Sequence, residues 1–114
     1  MPGEDDMPYG LNDQTIAKLV MVFAACPEIE QVLLYGSRAK GNYREGSDID
    51  LTIVGAAVTQ SHLLKVANDL DDLLLPYKID LSLMRQIEDN DVIDHIRRVG
   101  VVFYEKAMTK SAAQ

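Results

Sequence analysis

Seven residues near the middle of the chain, Asp48-Ile49-Asp50-Leu51-Thr52-Ile53-Val54, allow little besides a strand with two unlike faces. Strand side chains repeat every two residues, so Asp48 and Asp50 share one face while Ile49, Leu51 and Ile53 point to the other. The apolar face must be covered. Same-face neighbours lie about 7 Å apart along a strand, so the two carboxylates can converge on hard cations spaced about 3.5–4 Å apart. Without cations they repel each other. The expected fold class is therefore α/β, a small mixed sheet with helices packed mainly on one face and the carboxylates on the opposite one.

The remaining elements fit that plan. Between Asn12, a helix cap, and Pro27, the residues Ile16, Leu19, Val20 and Phe23 repeat at i, i+3, i+4, i+7 and predict an amphipathic helix. The run Val32-Leu33-Leu34-Tyr35, within Ile29 to Tyr35 and closed by Gly36, reads as a strand. Ser37 to Gly41 reads as a brief helical turn, and Gly41 to Ser47 as loop. A helix capped by Ser61 is expected to reach about Leu75, with Leu63, Leu64, Ala67, Leu70 and Leu74 inward and Pro76 as its stop. Tyr77 to Leu83 alternates again, Ile79, Leu81 and Leu83 against Lys78, Asp80 and Ser82. If this strand lies beside the first acidic one, Asp80 completes a trio able to bind a metal and to accept a proton from an attacking hydroxyl. Asn90 or Asp91 opens a last helix ended by Gly100, with a short strand from Val101 to Tyr104.

Length and charge narrow the function. The 114 residues, 47% of them apolar, suffice for one core and one domain, expected over residues 11–106, with a loosely held arm at 1–10 and a tail at 107–114. A net charge of -7 argues against holding nucleic acid directly through a basic surface. The single cysteine, Cys26, among apolar neighbours, reads as a reduced, buried thiol of a cytoplasmic protein. No stretch of about 18 apolar residues is present to cross a membrane, and the acidic N-terminus lacks a signal peptide's layout. His62 and His95 lack metal-ligand spacing and read as structural or surface residues.

Gly36 permits a tight turn and close backbone approach after its strand, and Ser37 offers a hydroxyl and opens a helical turn whose N–H groups favour anions. Arg38, Lys40 and Arg44 add positive charge to an otherwise acidic chain and could neutralise phosphate or simply be solvated. Arg38 is counted with Gly36 and Ser37 among the nucleotide-binding residues. Ser47 reads as a turn cap.

Gly36-Ser37, ten intervening residues, then Asp48-Ile49-Asp50 resembles the defining pattern of the DNA polymerase beta-type nucleotidyltransferase superfamily, and the string GSRAKGNYREGSDIDL looks like its minimal members. Asp80 sits where that family carries its third carboxylate. The resemblance implies that Asp48 and Asp50 bind two magnesium ions, that Asp80 ligates one and helps activate the acceptor, and that Gly36 with Ser37 holds the β- and γ-phosphates of ATP. More narrowly, the chain resembles the antitoxins of HEPN/minimal-nucleotidyltransferase toxin–antitoxin pairs. That implies a HEPN-type toxin as partner and transfer of AMP from ATP to one of its tyrosines. Two other readings remain at this point: an antitoxin that blocks its toxin sterically without catalysis, and a transferase acting on a small molecule.

Overall fold

A computed structural model describes residues 8–106. The tail expected at 107–114 and the first seven residues of the expected arm lie outside the described residues. Asn12 caps α1 (Asp13–Ala24), its Oδ1 accepting from the Thr15 N–H at 2.8 Å. Then come β1 (Gln31–Tyr35), α2 (Ser37–Lys40), β2 (Ile49–Val54), α3 (Gln60–Asp71), β3 (Ile79–Leu83), α4 (Asn90–Val99) and β4 (Val101–Glu105). The strands form one sheet in the order β3-β2-β1-β4. Here β1 runs antiparallel to β2 and β4, while β2 and β3 are parallel. Parallel neighbours need a crossover, and α3 provides it.

The alternation in β2 and β3 does what its spacing predicts. Ile49, Leu51 and Ile53 pair with Ile79, Leu81 and Leu83 and, with Val32 and Leu34 of β1, line the face that packs on Leu19 and Phe23 of α1 and on Val66 and Leu70 of α3. Full burial of each such side chain is worth about 1.5–3 kcal/mol. Phe103 and Tyr104 of β4 extend the cluster, both rings lying about 6 Å from Phe23. Among the described residues, no helix is long and apolar enough to cross a membrane.

Three expectations need correcting. Pro8–Gly10 are not part of a loose arm: they form a 3-10 turn whose Tyr9 packs on Phe103 with ring centroids 6.2 Å apart. The third helix is capped not by Ser61 but by Thr59, in a capping box with His62. It ends at Asp71, well before Pro76, and the expected inward stripe holds at Leu63 and Leu70 but not at Leu64 and Leu74. Leu64 is 60% and Leu74 88% exposed. The inward positions are Leu63, Val66, Leu70 and Leu73, and Leu74 has left the helix at φ 55°. With a Leu or Val at seven positions between Ser61 and Leu75, two stripes satisfy helical spacing. Only the start of the helix selects between them.

Candidate active site

The register carries the acids together. Tyr35 of β1 stands opposite Asp50 of β2, and Asp50 opposite Asp80 of β3, so the three form one row on the face away from the main core. Thr52 and Ser82 make the next row, the Ser82 hydroxyl donating to Thr52 Oγ1 at 3.0 Å. Asp48 lies just before β2, solvent-exposed, and Asp80 is exposed as well. Asp50 is partly buried. Burial first, then the charges of Asp80 and Asp48, push its carboxyl above the ordinary range. The same face acts on Tyr35: burial raises its phenol, a hydrogen bond with Ser82 opposes, and the Asp50 and Asp80 charges raise it further.

Mutual repulsion of this kind is what a cation would relieve. Among the described residues, no three acidic, His or Cys side chains are gathered tightly enough to enclose an ion as they stand. The donor set is nevertheless all oxygen, and magnesium takes oxygen ligands from a few carboxylates with waters and substrate phosphates completing the shell. Asp48, Asp50 and Asp80 are the residues that could hold it.

The turn is built against Asp50. Gly36 has φ 77° and ψ -157°, a backbone region open essentially to glycine alone. A Cβ added there would fall on Asp50 Oδ2, with Asp50 Cγ 3.2 Å away. The chain therefore brings bare backbone onto a carboxylate, and Ser37 opens α2 directly above it. Closing that one-turn helix, the Gly41 N–H donates to the Ser37 carbonyl at 2.9 Å.

Arg38 has a structural task that the sequence does not disclose. It is 2% exposed and so is not a solvated charge. Its Nε and one terminal nitrogen donate to the Ser47 carbonyl at 3.1 and 2.9 Å, and the other terminal nitrogen donates to the Tyr9 carbonyl at 2.7 Å. The Tyr43 and Tyr77 rings lie 5.3 and 5.0 Å from the guanidinium. The fork thus fastens α2 to the residue preceding Asp48. Lys40 and Arg44 are exposed. Ser47 caps the loop as expected, its hydroxyl accepting from the Arg44 N–H at 2.8 Å.

Arg38→Lys is expected to destabilise the domain by about 3 kcal/mol, because an ammonium cannot reproduce a stacked fork serving two carbonyls. A urea-unfolding midpoint reads this, and a loss below about 0.5 kcal/mol, the ordinary scatter of surface changes, sinks the clamp.

Two contacts escape sequence reasoning. One is the Arg38 clamp, whose partners carry no motif. The other is His95, whose Nε2 accepts from the Gly36 N–H at 3.1 Å while its ring meets Tyr35 edge-on with centroids 6.2 Å apart. His62, by contrast, is structural as expected. So is Cys26: burial and its hydrogen bond to Glu28 push the thiol up, away from nucleophilic use, although it is only half-buried.

A mixed sheet with three acids on its open face, and a glycine-serine turn laid on the central one, defines a domain of nucleotidyltransferase type. The chain belongs to the family described as Polymerase beta, Nucleotidyltransferase, whose profile matches residues 17–109. No curated protein matches it by sequence. Among solved structures it is similar to a toxin-antitoxin with AMP-PNP, at 22% identity and a TM-score of 0.62 over 87% of this chain and 77% of that chain. It is also similar to the toxin-antitoxin MntA-HepT, at 16% identity and a TM-score of 0.61 over 83% and 74%. A third is the tri-AMPylated Shewanella oneidensis HEPN toxin in complex with MNT antitoxin, at 17% identity and a TM-score of 0.60 over 82% and 71%. At these identities the likeness is one of fold.

Proposed function

We propose that this chain is a magnesium-dependent nucleotidyltransferase that moves AMP from ATP onto a tyrosine of a HEPN-type toxin and so acts as its antitoxin. The observation that carries the reading is the row Tyr35, Asp50, Asp80 with Gly36 pressed onto Asp50. It sets carboxylates beside a glycine-serine turn that opens a helix. The neighbours of like fold include one with AMP-PNP and one whose HEPN toxin carries AMP groups, which supports the choice of nucleotide and acceptor.

In this reading Asp48, Asp50 and Asp80 hold two magnesium ions, which when bound supply charge neutralisation at the attacking and leaving oxygens. Ser37 and the first turn of α2 hold the β- and γ-phosphates, since first-turn N–H groups have no partner within a helix. The acceptor hydroxyl forms its bond to the α-phosphorus, the bond to the pyrophosphate oxygen breaks, and Asp80 takes the hydroxyl proton. Arg38 keeps the loop before Asp48 seated. The domain is assigned to residues 11–106 with the Pro8–Gly10 turn added, and its place of action is the cytoplasm.

The test is intact-mass spectrometry of the toxin after incubation with this chain, magnesium and each nucleoside triphosphate in turn. An AMP-sized increment with ATP, absent with Asp48→Asn/Asp50→Asn, is the expected result. If no increment appears and the double variant still protects, the chain works by steric cover instead.

A further inference from the structure

Gly36 stands one residue past the end of β1, and its N–H has outrun the sheet. The last β1–β4 pair is Leu34 with Val101, so β4 offers nothing at that level. The same pairing brings the end of α4 beside the turn. Gly100 makes the α4–β4 corner, its N–H donating to the Ile96 carbonyl at 2.7 Å, and a Cβ there would collide with that carbonyl. With so tight a corner, the last turns of α4 cannot drift from the end of β1. Ile96, 3% exposed, anchors the helix. His95 precedes it and delivers Nε2 to the Gly36 N–H, 59 residues away in sequence.

An extended backbone at positive φ, laid against a carboxylate, does not hold itself. Releasing the Gly36 peptide would let the turn rotate off Asp50. The accepting atom is a bare ring nitrogen, so this bond requires the neutral imidazole with its proton on Nδ1. With its N–H committed in this way, Gly36 shapes the turn and leaves the donors to Ser37 onward.

We propose that His95 is a positioning residue for nucleotide binding: by accepting from the Gly36 N–H and packing on Tyr35, it fixes the glycine-serine turn over Asp50 in the geometry that receives a magnesium-bound triphosphate. The inference rests on the nucleotidyltransferase reading above. It assigns to α4 a part in the site that no feature of the Gly36 to Asp50 segment discloses.

The experiment uses the full chain as wild type, His95→Leu and His95→Gln, the last placing an amide oxygen near the position of Nε2. Calorimetric titration with magnesium and AMP-PNP measures affinity, and amide exchange measures protection of the Gly36 N–H. His95→Leu is expected to bind about tenfold more weakly, equivalent to ~1.4 kcal/mol, as befits a donor left without its acceptor, and to lose Gly36 protection. His95→Gln is expected to stay within about threefold of wild type and keep that protection, a rescue that a space-filling role does not produce. If wild type binds AMP-PNP and His95→Leu binds equally well, the positioning role is overturned while the nucleotide site stands. Equal weakening in both variants overturns it too. If wild type does not bind, the nucleotidyltransferase reading fails and this inference falls with it.

Discussion

Gly36→Ala is expected to cut nucleotidyl transfer on the order of 100-fold, the scale of a 1 Å misplacement in a reacting assembly, while the domain still folds. Two costs meet at this position. The backbone at φ 77°, ψ -157° admits a side chain only with strain of about 1–3 kcal/mol. The new methyl would also displace Asp50 Oδ2, moving the carboxylate at the centre of the row. Gly41→Ala separates the two costs. Gly41 has φ 89° but nothing within 4 Å of a Cβ, so its variant should lose stability by about 1–2 kcal/mol, the cost of a side chain in the left-handed region, and keep transfer within a fewfold. Matched measurements of transfer rate and unfolding midpoint decide the matter. Equal losses of transfer in both variants would mean that the approach of Gly36 to Asp50 is irrelevant to the chemistry.

That prediction depends on contacts only partly visible in the sequence. The two-faced strands are legible because alternation is a local property: Ile49, Leu51 and Ile53 can face a core only if Asp48 and Asp50 do not. The turn is legible because glycine followed by serine at the end of an apolar run leaves few alternatives. The juxtaposition of Asp50 and Asp80 is not, since the alternation of β3 names a face but not a neighbour. It took the crossover of α3 to make β3 the parallel partner of β2. Leu64 and Leu74 mislead because leucine-rich helices offer more than one stripe. Arg38 and His95 fail for a deeper reason. Local charge and spacing suggest phosphate for Arg38, whereas its partners come from Tyr9, Ser47, Tyr43 and Tyr77. Those of His95 come from the end of β1, about sixty residues back in the sequence: the Gly36 N–H lies 59 residues away. Side chains that join distant elements have no local periodicity to betray them.

Asp50→Asn is expected to reverse its effect on stability when magnesium is added. In the metal-free fold, burial and the charges of Asp80 and Asp48 raise the Asp50 carboxyl above its unfolded value. A raised acid contributes stability below the unfolded pKa, and that contribution is lost as pH rises through the folded pKa. At neutral pH the wild-type carboxylate is therefore a cost that asparagine removes, so metal-free Asp50→Asn should unfold at a higher temperature than wild type. The difference should shrink as pH falls below the ordinary carboxylate range. Magnesium changes the order, because a ligand present at 100 times its dissociation constant stabilises its binder by about 2.7 kcal/mol, and the variant has lost a principal oxygen donor. Transfer should fall on the order of 1,000-fold, ~4 kcal/mol of barrier. Thermal unfolding with and without magnesium, across acid to neutral pH, tests each step. Equal stabilisation of both proteins by magnesium would show that Asp50 holds no ion, and a metal-free variant no more stable than wild type would show that the repulsion in the row is already relieved by solvent. The crossing requires both that the carboxylates strain the empty fold and that the ion repays the strain. A site that kept its acids apart would lose the first effect together with the second.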